Sequence, residues 1–157
     1  MYYKIINQEV QKRLGGVHSC QSLMYSVDFD EIAILQRAGD WDKLGQIMAD
    51  AAQRLEDGGA DFILICANTM HKVVDSVEKR VKTPVFHIAD ATAEAIKKQG
   101  FKKVGLLGTR FTMEEDFLKN RFLEKHNIQT IIPNEEQRKT VHQIIYEELA
   151  KGIFTAE

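Results

Sequence analysis

The spacing of apolar and polar residues changes along the chain between two periods, and each period predicts a different element. Apolar residues recur every three or four positions over residues 2–14 and 41–55, which predicts amphipathic helices. The run Phe-Ile-Leu-Ile at 62–65 is short, rich in β-branched residues and preceded by Gly58-Gly59, which predicts a strand buried on both faces. Such helices and strands alternate along most of the chain.

The predicted order is that of a parallel sheet covered by helices. Strands are expected at 23–27, 62–65, 85–88, 103–107 and 128–132, with helices before, between and after them. Asp40 is expected to cap the helix over 41–57. Thr112 with Glu115, and Asn134 with Gln137, have the spacing of capping boxes and predict the starts of two later helices. The alternation places the protein in the α/β class.

Two segments resemble each other and suggest an internal division. Gly-Ala-Asp leads into the strand that ends in Asn68-Thr69, and Gly-Phe-Lys-Lys leads into the strand that ends in Gly108-Thr109. We therefore expect two similar parallel-sheet α/β units, residues 1–99 and 100–157, whose strand ends face one cleft. The chain opens on a helix and closes soon after one, so each unit is expected to lack one strand.

Composition narrows the classes of partner. The 157 residues are 44% hydrophobic and 28% charged, and the net charge of −2 gives no reason to expect nucleic acid or an anionic membrane as a partner. No apolar run approaches membrane-spanning length, and the mixed charge of residues 1–12 is not that of a signal peptide. Two cysteines do not make a disulfide framework, so a reducing cytoplasm is the simplest setting.

The carboxyl end of the strand at 62–65 carries the most promising chemistry, because open parallel sheets bind ligands at that edge. Cys66 follows the strand and is either a thiolate base or nucleophile or a small buried residue. Side chains alternate along a strand, so Cys66 and Ala67 are expected to point to opposite faces. Asn68 and Thr69 are either a carboxylate-binding cradle or an ordinary helix cap.

A second candidate site follows the strand at 103–107. Thr109, Arg110, Phe111 and Thr112 could bind another anionic group through hydroxyls, backbone N–H groups and the guanidinium, or they simply begin a helix. The segment lacks the lysine and the spacing of a P-loop, which argues against a nucleoside triphosphate. His71 and His87 lack the close spacing of zinc motifs and are expected to be structural, so no metal is predicted.

Four segments together resemble the aspartate/glutamate racemase family of cofactor-independent amino-acid racemases. They are residues 25–29 (YSVDF), 67–71 (ANTMH), 87–90 (HIAD) and 105–109 (GLLGT). The resemblance runs through nearly the whole chain. It implies a pseudo-symmetric pair of α/β domains with a small amino-acid substrate between them, and racemisation by two cysteines without metal or pyridoxal cofactor.

The resemblance also assigns residues. Asn68 and Thr69 would hold the substrate α-carboxylate, and Thr109 and Thr112 would do similar work from the second unit. The residues expected to contact substrate are Ser26, Ala67, Asn68, Thr69, Thr109, Arg110, Phe111 and Thr112, with Cys66 as the candidate catalytic group. The protein is expected to form a homo-oligomer, as a dimer.

The chain departs from the family pattern at both catalytic positions. The family's first catalytic cysteine stands directly before Asn-Thr, where this chain has Ala67, and its cysteine lies one position earlier, at Cys66. The second belongs to a Gly-Cys-Thr segment that does not occur here, and the family's opening glycine-rich strand is also missing before Tyr2. The chain is thus expected to be truncated at both ends. Three hypotheses follow: an amino-acid racemase, a protein that only binds an acidic amino acid, or a fragment that pairs its open sheet edges with a partner.

Overall fold

The computed structural model describes residues 1–155, and these form an α/β fold in which every strand is short. The strands are β1 (Ile63–Leu64), β2 (Val85–Phe86), β3 (Lys103–Gly105) and β4 (Gln129–Ile131). The helices are α1 (Tyr2–Leu14), α2 (Phe29–Ala38), α3 (Trp41–Asp57), α4 (Val74–Arg80), α5 (Ile88–Lys98), α6 (Arg110–Glu114), α7 (Asp116–His126) and α8 (Glu135–Glu147). Short 3₁₀ helices cover Thr69–Val73 and Leu149–Lys151.

The strands form two separate parallel pairs. β1 pairs with β2, with Ile63 opposite Val85, and β3 pairs with β4, with Val104 opposite Thr130. Parallel neighbours need a crossover connection, which α4 supplies in the first pair and α6 and α7 supply in the second. The α/β class is therefore confirmed, whereas the pseudo-symmetry and the missing strands stay predictions.

Two hydrophobic clusters stabilise the fold, and each packs around one sheet. The first contains Ile32, Leu44, Ala52, Ile63, Ile65, Met70, Val73, Val74, Val77 and Val81. The second contains Ala89, Ala93, Leu118, Phe122 and Ile128. In the first, α3 lies close to α4 because Gly45 has no side chain: a Cβ there would lie 2.7 Å from Ser76 Oγ.

Helix α5 packs with the second cluster through Ala89 and Ala93. Asp90 on α5 accepts hydrogen bonds from Arg121 Nε (2.8 Å) and pairs with His126 Nε2 (2.8 Å) on α7. The Arg121 guanidinium holds the pKa of the Asp90 carboxyl well below its usual range, and His126 adds to the effect. The division into units at residues 99 and 100 stays a prediction.

Most of the predicted helix ends are confirmed. The Asp40 side chain caps α3 by accepting from Lys43 N, and Asn134 with Gln137 forms a complete capping box at α8. The predicted capping box of Thr112 with Glu115 is wrong. Thr109 caps α6 instead, because the helix begins at Arg110, three residues earlier than the pattern suggested.

Glu115 separates α6 from α7 and forms an ion pair with Lys72 at 2.5 Å. The Lys72 ammonium also lies 3.6 Å from the centroid of the Trp41 ring. A carboxylate that the sequence pattern assigned to a helix cap thus joins the 3₁₀ helix after β1 to the second half of the chain.

The predicted strand at 23–27 is wrong. Residues 17–28 contain no helix or strand, and Leu23, Met24 and Tyr25 are all exposed. A strand is defined by backbone bonds to a neighbour, and in residues 1–155 β1 bonds only to β2. Side-chain alternation alone cannot supply that neighbour.

Helix α1 forms as predicted, but none of the residues in its apolar stripe is fully buried. Tyr3 and Leu14 stay 64% and 65% exposed, so the stripe lies on the surface of residues 1–155. Within those residues no helix combines the length and the apolar character needed to cross a membrane.

Candidate active site

Three threonine hydroxyls meet where the loops after β1 and β3 approach each other. Thr69 Oγ1 lies 2.9 Å from Thr109 Oγ1 and 3.3 Å from Thr112 Oγ1, and the last two are 3.3 Å apart. Thr69 begins the 3₁₀ helix after β1, whereas Thr109 caps α6 and Thr112 lies in its first turn. Thr69 and Thr112 are buried. The segments that follow the carboxyl ends of β1 and β3 therefore meet at one place.

The threonine cluster forms part of the wall of a cavity of about 610 Å³, called here the threonine cavity. Its other polar side chains include Ser26, Gln36, Cys66 and Asn68. The remaining wall is largely apolar and comes mainly from α2, α3, α8, β1 and the loop before α2. Among the lining residues in the described part of the chain, none carries an Asp, Glu, Lys, Arg or His side chain.

The structure brings together seven of the nine residues singled out from the sequence. Ser26, Cys66, Ala67, Asn68, Thr69, Thr109 and Thr112 all line the threonine cavity. Arg110 and Phe111 line a neighbouring cavity instead. On a helix, positions three apart share a face and the two positions between them do not, so Thr109 and Thr112 face one way while Arg110 and Phe111 face another.

Cys66 and Ala67 lie on one cavity wall, which differs from the expectation that strand alternation places them on opposite faces. Both Cys66 and Ala67 line the wall, because β1 ends at Leu64 and the chain beyond it no longer follows the pleat. The Cys66 thiol is solvent-accessible, yet desolvation raises its pKa. The other cysteine, Cys20, lies outside this wall and directs its thiol at the Gln21 carbonyl (3.2 Å).

His71 fixes the backbone at the site. Its Nδ1 donates to the Ala67 carbonyl at 2.7 Å, while its Nε2 accepts from Ile88 N at 3.2 Å. The second bond assigns the tautomer, since a backbone N–H must donate to an unprotonated nitrogen. This imidazole is 2% exposed and ties the end of the β1 loop to the start of α5.

His87 packs beside His71, with the ring centroids 4.4 Å apart. Its Nδ1 accepts from Ala89 N and so caps α5. Burial lowers the pKa of His71, and burial together with the neighbouring His71 and Arg121 lowers the pKa of His87 to about 3. Both rings are therefore neutral at neutral pH and support the backbone.

Sequence reasoning missed a chain of polar contacts in the wall of the threonine cavity. Gln36 is 4% exposed; its Nε2 donates to Met70 Sδ (3.3 Å), and its Oε1 accepts from the Tyr146 hydroxyl (2.7 Å). Gln36 and Tyr146 are 110 positions apart, so no local pattern joins them. The one available signal was Gln36 itself, an amide on the apolar side of α2 beside Ile32.

Gly108 sets the position of Thr112, which leads to a first prediction. A Cβ at Gly108 would lie 2.8 Å from Thr112 Cγ2 and 2.9 Å from Thr112 Cβ. Thr112 is 1% exposed and has no room to move. We expect Gly108→Ala to lower the free energy of unfolding by about 1–3 kcal/mol, as overpacking does, measured by urea denaturation.

The matched control is Gly105→Ala, because a Cβ there would meet no atom within 4 Å. It should leave the free energy of unfolding much closer to that of the parent chain. Equal destabilisation by the two substitutions would contradict the role given to Gly108.

Comparison with known proteins places the chain among racemases. The family model described as Asp/Glu/Hydantoin racemase matches residues 1–156. The broad specificity amino-acid racemase RacX of Bacillus subtilis is 27% identical over 129 residues, which cover 82% of this chain and 52% of RacX. The glutamate racemase of Aquifex pyrophilus is 33% identical over 67 residues, or 41% of this chain and 26% of that enzyme. The chain thus spans about half the length of RacX.

Two solved structures share the fold. A Yersinia pestis protein assigned to the Asp/Glu racemases superposes with a TM-score of 0.88 at 51% identity, covering 98% of this chain and 67% of the other. PH1733, an aspartate racemase homologue from Pyrococcus horikoshii OT3, superposes with a TM-score of 0.75 at 37% identity, covering 97% and 66%.

Proposed function

Because this chain belongs to the Asp/Glu/hydantoin racemase family, we propose that its threonine cavity binds a free amino acid and exchanges the proton on the α-carbon. One observation carries the proposal. Cys66, Asn68 and the three-threonine cluster line the same cavity, so a candidate base lies beside candidate carboxylate-binding groups. The resemblance to a racemase of broad specificity supports an amino acid as the substrate class.

The proposed chemistry follows from those groups. The Asn68 amide and the hydroxyls of Thr69 and Thr109 donate hydrogen bonds to the α-carboxylate. The Cys66 thiolate takes the α-proton and becomes a thiol, while the C–H electron pair passes into the carboxylate as an enolate. Donors aimed at that carboxylate stabilise the growing negative charge. Proton return to the same face gives exchange, and return to the opposite face gives inversion.

Inversion needs a second proton donor on the far side of the α-carbon. The family resemblance assigns that role to a Gly-Cys-Thr cysteine, and this sequence contains no such segment. We propose that Cys66 supplies one of the two acid–base groups and that Ala67, which occupies the family's cysteine position, contributes backbone and shape. In that case exchange at the α-carbon is faster than racemisation in this chain.

Two observations favour different side chains on the substrate. The family's description, Asp/Glu/Hydantoin racemase, favours aspartate or glutamate among the amino acids. The wall of the threonine cavity, with no charged side chain among its described residues, favours a neutral side chain, because a second carboxylate there would find only hydroxyl and amide donors. Methionine is a suitable neutral comparison, since it fills apolar space.

The finer structural expectations belong to the same proposal. We propose that the β1–β2 and β3–β4 pairs are the centres of two similar sheets, related by pseudo-symmetry, that each accept one more strand. The dimer rests on the family resemblance, and the cytoplasmic setting rests on the two unpaired cysteines.

The test is solvent exchange. The purified chain is incubated in deuterium oxide with L-aspartate, L-glutamate or L-methionine, and loss of the α-proton signal is followed by proton NMR while chiral chromatography follows inversion. Exchange above the buffer rate supports the proposal, and the ranking of the three amino acids identifies the side-chain class. Absence of exchange with all three rejects the activity.

The second candidate, binding without turnover, is favoured by Ala67 in the family's cysteine position. It predicts thermal stabilisation by millimolar aspartate without any exchange. Asn68→Ala should then abolish the stabilisation. A melting temperature that aspartate leaves unchanged would reject this candidate.

A further inference from the structure

A second cavity, of about 410 Å³, lies between α2, α6 and α8 and is separate in character from the threonine cavity. It is called here the arginine cavity. Its lining includes Arg37 on α2, Arg110 and Phe111 on α6, and Tyr146 on α8. A volume of this size is within the range of small-molecule sites, about 300–1,000 Å³.

Aromatic rings form much of its wall. Phe29 and Tyr146 stack with their centroids 6.2 Å apart, and His142 lies 4.7 Å from Tyr146 and 6.3 Å from Phe111. Aromatic groups at these spacings present flat faces and edges to a ligand. Offset-stacked and edge-on contacts favour a planar ring as occupant.

Two guanidinium groups line the same space. Within residues 1–155, neither Arg37 nor Arg110 has a carboxylate within 4.0 Å, whereas Glu147 on the same wall is already paired with Lys151 at 2.6 Å. Asp30 also lines the cavity, so the cations exceed the anions by one. Arg37 and Arg110 both oppose the rise that burial causes in the pKa of Tyr146, so both charges act on one ring. Unpaired guanidinium groups beside a hydrophobic surface suit a carboxylate.

We propose that the arginine cavity binds a small molecule that combines an aromatic ring with a carboxylate. The ring packs among Phe29, Phe111 and Tyr146, and the carboxylate pairs with Arg37 and Arg110. His142 accepts the Arg110 backbone N–H through Nδ1 (3.2 Å), which leaves its Nε2–H as a further donor. This site is additional to the proposed racemase chemistry and does not depend on it.

The arginine cavity is coupled to the threonine cavity through shared residues. Phe29 and Tyr146 line both cavities. The Tyr146 hydroxyl continues through Gln36 to Met70, the residue next to Thr69. A ligand that reorients Tyr146 therefore acts on the support of the threonine cluster, so occupancy of one cavity is expected to change affinity in the other.

The experiment uses 3-phenylpropanoate as the probe and 3-phenylpropanamide as its uncharged counterpart. The readout is the fluorescence of Trp41, the one tryptophan of the chain, whose ring centroid lies 5.3 Å from that of Phe111. Titration calorimetry provides a second readout. We expect saturable binding of the carboxylate, with the amide weaker by about tenfold, as loss of a charge-assisted hydrogen bond implies.

Variants locate the probe. Arg37→Gln should weaken binding of 3-phenylpropanoate by about tenfold. Lys139→Gln removes a positive charge from α8 outside the arginine cavity and should leave binding unchanged, as should Asn68→Ala in the threonine cavity. Equal affinity for the acid and the amide, an Arg37→Gln variant that binds like the parent chain, loss of binding in Asn68→Ala, or no binding at millimolar probe would each overturn the proposal.

Discussion

Replacement of Cys66 by serine is expected to slow α-proton exchange by about 10²–10⁴-fold, the usual contribution of a positioned base. A serine hydroxyl keeps the size of the side chain but is not ionised near neutral pH, so it cannot take the proton. The measurement is the deuterium-exchange rate with the amino acid that the parent chain exchanges fastest. Cys66 is the only thiol among the described lining residues of the threonine cavity, so no second sulfur is at hand to replace it.

The matched control is Cys20→Ser, which removes the other thiol of the chain and lies outside the cavity. It should exchange at the parental rate. An equal loss in both variants would point to a general effect of thiol removal, and an unchanged rate in Cys66→Ser would reject Cys66 as the base.

The pH dependence provides an independent check on Cys66. The thiolate is the active form, and desolvation raises the pKa of this thiol, so at neutral pH its thiolate fraction is smaller than that of an ordinary cysteine. The exchange rate should therefore rise with pH and keep rising beyond about 8.5, the ordinary thiol pKa. A plateau at lower pH would assign the reaction to a different group.

Acidification from pH 7 to pH 5 is expected to lower the free energy of unfolding of the parent chain by roughly 1–2 kcal/mol more than that of the His87→Asn variant. In the folded chain the pKa of His87 is about 3, whereas the unfolded value is the ordinary one of about 6.5. Below pH 6.5 the unfolded chain thus binds a proton that the folded chain does not. Stability present at neutral pH is lost as the pH falls towards 3. The lowered pKa of His71 contributes in the same direction.

Asparagine is the appropriate replacement because it keeps a cap for α5. Asparagine is among the best N-cap residues, so the acceptor for Ala89 N is retained while the titration is removed. Asp90, Arg121 and Lys125 also act on His87, and they remain in both proteins. Urea denaturation at the two pH values gives the difference. Equal losses of unfolding free energy in the parent chain and in His87→Asn would contradict the role given to His87.

The parts of the fold that the sequence predicted well depend on neighbours close in the chain. Asp40 and Asn134 cap helices through bonds to residues three positions away, so their spacing was sufficient. The prediction of a strand at 23–27 was wrong because a strand needs another strand as its partner, and no local spacing specifies that partner. The predicted placement of Cys66 and Ala67 on opposite faces differs from the structure for a related reason. Alternation holds only as far as the paired strand does, and β1 ends at Leu64.

The candidate site shows the same division. The order of the strands and the polar residues at their ends were sufficient to infer that Thr69, Thr109 and Thr112 lie close together. Adjacency in sequence grouped Arg110 with those threonines, whereas in the structure Arg110 lines the arginine cavity, because neighbouring helical residues face different directions. The Gln36–Tyr146 bond was beyond prediction, since it joins helices whose packing is decided by the tertiary fold.

The separation of the two hydrophobic clusters has a consequence for the order of folding. The first cluster and its packed neighbours draw on residues 27–85, and the second draws on residues 88–128, so each forms from one continuous stretch with short loops to close. The threonine hydroxyls come from both stretches, Thr69 from one and Thr109 and Thr112 from the other. We therefore expect the three hydroxyls to meet only after both clusters have formed. Ligand binding during refolding should then report the docking of one cluster against the other.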